Sequence, residues 1–167
     1  VGTAQFVDRL EKGKGFIGTF NGMGYAINNL TTTEHGIFGV INGGTIKNVA
    51  FTNVNRVENT KLASILACYI INNSKIENVY AHTTSGVQNG AICTAIDSST
   101  VVNSMFEVDG DVFRHSTACS PYRATYGSFS RQASDKFDSV TFNNVYVVSK
   151  RVLTHYNNEK TSASGAN

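Results

Sequence analysis

The sequence predicts an all-β protein: a short right-handed parallel β-helix of about four to five coils with an insertion near residues 107–136. The first observation is a four-residue motif that repeats along the chain. It consists of an apolar residue, a variable residue, an asparagine and then usually an aliphatic residue. It occurs at residues 27–30, 46–49, 76–79, 101–104 and 142–145. The second observation is that the residues before this motif also repeat. Repeat lengths of about 20 to 50 residues are typical of solenoids.

Three copies align without gaps on the asparagine, residues 37–45, 67–75 and 92–100. Each copy consists of an apolar strand, a small polar turn and a second strand that bears the asparagine. The turn residues, such as Asn-Gly-Gly and Asn-Asn-Ser, tolerate a left-handed backbone or hydrogen-bond their own main chain. We therefore expect two strands and a corner per coil, with equivalent residues stacked about 4.8 Å apart. The right hand follows the general preference of parallel crossovers.

This alignment predicts columns of stacked side chains. Two inward columns would consist of Phe38, Cys68 and Cys93, and of Ile46, Ile76 and Val101. A structural ladder would consist of Asn29, Asn48, Asn78, Asn103 and Asn144. The ladder amides either hydrogen-bond along the stack or bond the main chain of the turn, and the sequence does not choose between these. Because a buried amide must be paired, a structural role is favoured over a catalytic one.

The cysteines and histidines do not indicate a disulfide framework, a metal site or a cofactor. Stacked Cys68 and Cys93 would lie slightly too far apart for a relaxed disulfide, so we expect free buried thiols. Cys119 has no counterpart in the repeats. The four histidines occupy different places in the repeats, which argues against a metal site.

The N-terminal third of the chain resembles a known repeat family. Residues 18–30 read Gly-Thr-Phe-Asn-Gly-Met-Gly-Tyr-Ala-Ile-Asn-Asn-Leu, and Gly-Ile-Phe-Gly at 36–39 and Gly-Thr-Ile-Lys-Asn-Val at 44–49 follow. This passage resembles the GLUG-like right-handed parallel β-helix repeats of bacterial surface and adhesin-type proteins. The resemblance implies the β-helix fold, an extracellular or bacterial cell-surface location, with a virion as the alternative, and roles in adhesion or display. It implies no catalytic residues.

Residues 107–136 interrupt the repeat and form the predicted insertion. Insertions in solenoids become loops on one face and often carry binding; the alternative is a disordered or capping loop. Tyr122, Arg123 and Tyr126 are the candidate ligand contacts, through ring stacking and a forked donor. Asp109-Gly110-Asp111 could offer oxygens to calcium, but a plain turn is favoured because the motif lacks a completed calcium loop.

Length, composition and charge limit the domain organisation and the classes of partner that the chain could have. We expect one domain over residues 1–156, and residues 157–167 as a flexible tail or linker. A net charge of +2 with 16% charged residues does not favour a nucleic-acid or anionic-membrane surface. No stretch approaches the roughly 18 to 20 apolar residues of a membrane span.

These observations favour a non-enzymatic structural or binding module of a bacterial cell-surface protein, adhesive or carbohydrate-binding, whose partners are glycans or a surface protein. One alternative is a polysaccharide-degrading β-helix enzyme, a lyase or hydrolase, using Glu107, Asp109 or Asp111 beside the insertion. Another is a phage fibre or spike component that forms a trimer. The acidic residues do not recur at one aligned position, which is why the non-enzymatic reading is preferred.

Overall fold

The computed structural model describes residues 15–32, 36–56, 64–87, 90–113, 120–121 and 140–153, and the regular elements in these ranges are β-strands. They are β1 (Thr19–Asn21), β2 (Ala26–Asn28), β3 (Thr31–Thr32), β4 (Val40–Asn42), β5 (Thr45–Arg56), β6 (Ala67–Ile71), β7 (Lys75–Thr83), β8 (Cys93–Ile96), β9 (Thr100–Phe113), β10 (Ser120–Pro121) and β11 (Thr141–Leu153). The predicted tail at 157–167 lies outside these ranges. No helix in the described part of the chain is long and apolar enough to cross a membrane.

The strands form two sheets, and the paired strands run parallel. The long sheet has the order β1-β5-β7-β9-β11, and β2 and β3 also pair with β5. The short sheet has the order β10-β8-β6-β4. From β4 onward, successive strands alternate between the two sheets. The prediction of an all-β protein built from parallel strands is therefore confirmed for the described residues.

The core lies between the two sheets and is built from equivalent positions of successive repeats. Ile46 pairs with Ile76, and Ile76 pairs with Val101, and all three side chains are fully buried. This is the second inward column that the alignment predicts. Toward β1 the core is aromatic, because Phe38 packs edge-on against Phe20 and Phe51 with ring centroids 5.7 and 6.0 Å apart.

The first predicted inward column is wrong. Cys93 pairs with Ala67 rather than with Cys68. Cys68 packs with Tyr69 and Ile71 in a second, smaller cluster, whereas Cys93 belongs to the main core. The reason is that the corner between the two strands of a repeat differs in length from copy to copy, so a gapless alignment slips by one residue. In a strand, that slip moves a side chain to the opposite face.

Neither cysteine is nevertheless part of a disulfide, and both are buried. Burial raises the pKa of Cys68 to about 12, so this thiol is not a reactive nucleophile at neutral pH. Cys119 lies outside the described residues.

The start of the predicted insertion is strand rather than loop. β9 continues to Phe113 and pairs with β11 as far as Leu153. The prediction of a turn at Asp109-Gly110-Asp111 is therefore wrong. A Cβ atom at Gly110 would lie 2.5 Å from the backbone nitrogen of Gly86, so the glycine here permits close packing of two backbones.

The buried column gives a stability prediction. Replacing Ile76 with alanine leaves a cavity between the two sheets, and we expect the free energy of unfolding to fall by about 2 to 5 kcal/mol. Urea unfolding followed by circular dichroism measures the change. The matched control is Lys75→Ala on the exposed face of the same strand, where a surface ion pair with Glu77 at 2.9 Å contributes at most about 1 kcal/mol. Equal losses in the two variants would contradict this account of the core.

Candidate functional site

At one equivalent position in each of β5, β7, β9 and β11, an asparagine has a left-handed backbone. The φ angles are +51° at Asn48, +52° at Asn78, +48° at Asn103 and +53° at Asn144. Left-handed backbone is costly for most L-residues, and asparagine is among the few that adopt it readily. These residues interrupt the extended backbone of β5, β7, β9 and β11 at the same point. Each of the four strands therefore changes direction there, and the long sheet is bent along a line that crosses its strands.

The side-chain amides at this bend bond along the stack. Nδ2 of Asn78 donates to Oδ1 of Asn48 at 3.0 Å, and Nδ2 of Asn144 donates to Oδ1 of Asn103 at 3.0 Å. Nδ2 of Asn48 donates in turn to Oδ1 of Asn21 at 3.2 Å. Of the two arrangements that the sequence left open, the structure has amide-to-amide bonding from Asn21 through Asn48 to Asn78, and again between Asn103 and Asn144. We call Asn48, Asn78, Asn103 and Asn144 the asparagine column.

Asn29, predicted as a member of the ladder, lies outside this column. Its backbone N–H donates to the carbonyl of Thr52 at 3.0 Å, and β2 pairs the preceding Asn28 with Thr52, so Asn29 lies beyond Thr52 along β5 and away from Asn48. Neighbouring Asn28 accepts a bond from Nδ2 of Asn53 at 3.1 Å, in a second and shorter amide ladder. Asn53 also has a positive φ, +53°.

The register of β1 pairs Asn21 with Lys47, one residue before Asn48, and the side chain of Asn21 reaches the amide of Asn48 from there. Oδ1 of Asn21 also accepts from the backbone N–H of Met23 at 3.0 Å, which stabilises the turn between β1 and β2. Sequence analysis missed Asn21 because it directly follows the apolar residue Phe20, whereas the repeated motif has one variable residue between the apolar residue and the asparagine.

A row of larger side chains runs parallel to the asparagine column on the same exposed face. Tyr80 pairs with Ala50 on one side and with Met105 on the other, and Met105 pairs with Tyr146. Tyr146 is 59% exposed and Met105 36% exposed. We call Tyr80, Met105 and Tyr146 the exposed row. The column and the row line an open groove of about 630 Å³ that crosses four strands of the long sheet.

Acidic side chains beside the groove are engaged with neighbours. The hydroxyl of Tyr80 donates to Oε2 of Glu107 at 2.7 Å, and this bond is the main reason that the pKa of Tyr80 is raised to about 12. Nε2 of His82 lies 3.1 Å from Oδ2 of Asp109. Both contacts join β7 to β9. These carboxylates therefore tie two strands together instead of facing one another across a substrate.

The groove offers amide groups and flat, weakly polar side chains. In each column amide, one N–H and one oxygen lone pair can serve the bond along the stack, and the others can face a ligand. Among the residues that the structure describes, no group of three or more His, Cys, Asp or Glu side chains could hold a metal ion. An open groove that crosses four strands and is lined by such groups is suited to binding an extended partner. The predicted ligand contacts Tyr122, Arg123 and Tyr126 lie outside the described residues and stay a prediction.

Parallel two-sheet architecture and an amide-lined groove define the class of protein, an all-β repeat protein. Comparison with known proteins adds one finding. Residues 6–83, a little under half of the chain, match the sequence model for the N-terminal region of M26 IgA1-specific metallo-endopeptidases. No curated protein and no solved structure matched the chain.

This similarity corrects the function expected from the sequence. It indicates a protease-related protein, so the expectation of a non-enzymatic adhesive or carbohydrate-binding module is wrong. The observations behind that expectation were rows of Asn, Ser, Thr and Tyr on stacked strands. Such rows follow from stacking repeats with polar outer faces, whatever the parent protein does. They could not discriminate between a sugar-binding surface and part of a protease.

The left-handed position gives a second prediction. We expect Asn78→Ala to be less stable than Asn78→Gly by about 1 kcal/mol, because alanine resists positive φ and glycine does not. Both variants lose the amide bond, so their difference isolates the backbone term. Thermal unfolding of the two variants and the wild type measures it. Equal stability of the two variants would show that the backbone at this position relaxes away from the left-handed region.

The contact between Tyr80 and Glu107 gives a third prediction. Since the pKa of Tyr80 is raised in the folded state, the neutral phenol stabilises the fold below pH 10, and this contribution is lost as the pH rises from about 10 to about 12. Glu107→Gln removes the charge and should lower the pKa of Tyr80. The ring-carbon NMR signal of Tyr80, assigned with Tyr80→Phe, reports the titration. An unchanged midpoint in Glu107→Gln would contradict the assigned cause.

Proposed function

We propose that this chain is the substrate-holding part of a protease-related extracellular protein and that its two sheets are faces of a right-handed parallel β-helix. The observation that carries the proposal is the similarity of residues 6–83 to the N-terminal region of M26 IgA1-specific metallo-endopeptidases. The matched segment includes β1 to β7. It therefore contains half of the asparagine column and the first member of the exposed row.

The β-helix is supported by the path of the chain. Successive strands alternate between the two sheets, and equivalent strands of successive repeats pair in parallel, as in β5 with β7 and β6 with β8. A chain that winds in this way between two sheets around one core completes one coil per repeat. Parallel crossovers are right-handed in nearly all known cases. The resemblance of residues 18–49 to GLUG-like repeats supports the same winding.

The chemistry of the described side chains suits the capture of a substrate better than the cleavage of a peptide bond. Zinc endopeptidases hold their metal with three protein ligands and leave one position open. The described residues contain no group of that kind, whereas they form an open groove that crosses four strands. We therefore assign the peptide-bond chemistry to another part of the parent protein and the capture of a protein substrate to this chain.

The family description identifies the substrate class to test. IgA1 is an antibody and an extracellular protein, and the similarity to endopeptidases specific for it supports the extracellular location expected from the sequence. IgA1 is the protein substrate that we propose for the parent protein of this chain.

The purified 167-residue chain should bind immobilised IgA1 saturably in biolayer interferometry and bind IgG much more weakly. The same chain, incubated with IgA1 in the presence of zinc, should leave the antibody chains intact on a denaturing gel. Binding to neither antibody, or equal binding to both, would contradict the proposal. Cleavage of IgA1 would show that this chain hydrolyses peptide bonds itself, which would contradict the assignment of that reaction to another part of the parent protein.

A further inference from the structure

We propose that the outer edge of β11 is an interaction surface that takes one further parallel strand, from a repeat of the same type outside residues 1–167. An asparagine of that strand would donate to Oδ1 of Asn144. The inference concerns the edge of the long sheet and not the groove on its face, so it does not depend on IgA1 as the substrate. Three observations support it: the length and composition of the edge, the direction of the amide hydrogen bonds, and the exposure of apolar side chains on β11.

The two edges of the long sheet differ in how well they are protected. At one edge, β1, β2 and β3 have three, three and two residues, and short strands discourage the addition of another strand. At the other edge, β11 is the last strand of the sheet in the described part of the chain. It pairs with β9 from Thr141 to Ser149, a stretch that contains no charged residue and no proline. A long, uncharged edge of this kind pairs readily with another strand.

Five amide-to-amide hydrogen bonds of the described residues have the same direction. In each bond, Nδ2 belongs to the later repeat and Oδ1 to the earlier one. The donor and acceptor pairs are Asn48 and Asn21, Asn78 and Asn48, Asn144 and Asn103, Asn53 and Asn28, and Asn72 and Asn42. An asparagine inside the stack, such as Asn48, therefore donates to the strand before it and accepts from the strand after it. Because Asn144 also donates to the strand before it, its Oδ1 is left for a donor on a strand after it.

This direction specifies the residue that the added strand must place beside Asn144. That residue needs a side-chain N–H, and it needs a left-handed backbone so that the bend of the sheet continues. Asparagine has both properties, whereas an ionised aspartate only accepts hydrogen bonds and glycine has no side chain. A second copy of this chain fits poorly, because its own β11 presents the same acceptor and its opposite edge consists of short strands. The repeated motif of an apolar residue, a variable residue and an asparagine fits well.

Apolar side chains of β11 are more exposed than their equivalents on inner strands. Tyr146 is 59% exposed, whereas Tyr80, which is in the same row but has β5 and β9 on its two sides, is partly buried. Val147 is partly buried, whereas its partner Phe106 on β9 is fully buried. Val148 is 45% exposed. A strand added at the edge would flank these side chains on their second side and remove apolar surface from water.

The test uses the full 167-residue chain and a capped peptide with the sequence of residues 74–83, which contains the motif and the whole of β7. We expect saturable binding in fluorescence anisotropy and slower amide hydrogen exchange at residues 141–149 in NMR spectra. The matched control is the same peptide with Asn78→Asp, which has a similar size but lacks the side-chain donor. This peptide should bind about tenfold more weakly or worse, because Oδ1 of Asn144 would then face another acceptor. The comparison leaves the folded chain unchanged.

A change in the chain tests the acceptor directly. Asn144→Gly keeps a residue that adopts positive φ and removes Oδ1. It should weaken binding of the unmodified peptide about fivefold to tenfold, as expected for the loss of one hydrogen bond. The matched control is Asn53→Gly, the same substitution at a residue with the same φ of +53° on β5, away from the edge. This variant should bind the peptide as the wild type does.

Absence of saturable binding, equal affinity for the two peptides, or equal weakening by Asn144→Gly and Asn53→Gly would overturn the inference. Slower exchange in β1 to β3 in place of β11 would also overturn it. If exchange at residues 141–149 of the chain alone slows as its own concentration rises, the occupant is a second copy and the inference is wrong. Binding of IgA1 is measured separately, and neither result determines the other.

Discussion

The long sheet depends on a left-handed asparagine at the same position of each of its four long strands. The positive φ at Asn48, Asn78, Asn103 and Asn144 interrupts four neighbouring strands at equivalent points. Parallel pairing resumes on both sides of the interruption, for example with Lys47 beside Glu77 and Val49 beside Val79. The strands can change direction together only because the left-handed residues are in register. A shift of one strand by one residue would misplace its bend and turn its buried side chains outward.

Asparagine combines two properties at this position: its backbone adopts the left-handed conformation, and its side chain can hydrogen-bond to the asparagine of a neighbouring strand. Glycine would adopt the same φ, but it would offer no side chain to bond along the column. Aspartate side chains at successive repeats would place like charges about 4.8 Å apart. The amide is neutral and can donate and accept at once. This combination explains why one residue type recurs on this exposed face where the flanking residues vary.

Sequence reasoning succeeded where the repeat is rigid and failed where its length varies. The column of Ile46, Ile76 and Val101 follows directly from aligning the asparagines, because the alternation between the apolar residue and the asparagine is fixed within one strand. The corner before that strand gains or loses a residue between copies, and a gapless alignment cannot register this change. Cys68 and Cys93 were therefore assigned to one column although they lie in different clusters.

The groove was harder to predict, because it is a property of neighbouring strands. Tyr80, Met105 and Tyr146 look unrelated in sequence, and their alignment emerges only when the register is known. Asn21 was missed for the same reason, since its position beside Asn48 is set by the pairing of β1 with β5. Side-chain rows that cross strands can be listed from a sequence only after every corner length has been assigned correctly.

Parallel stacking also determines what kind of partner such a surface can distinguish. From β7 onward, each long strand contributes one amide and one larger side chain, so a ligand lying across these strands would meet the same pair of contacts at an interval of about 4.8 Å. A partner with a commensurate period gains from every repeat, whereas one with a different period loses register after the first contact. Selectivity can then reside in the conformation of the partner more than in any single side chain. For a partner bound in this way, a substitution in the exposed row would remove one contact, whereas a change in corner length that shifts one strand would disrupt the period for the whole groove.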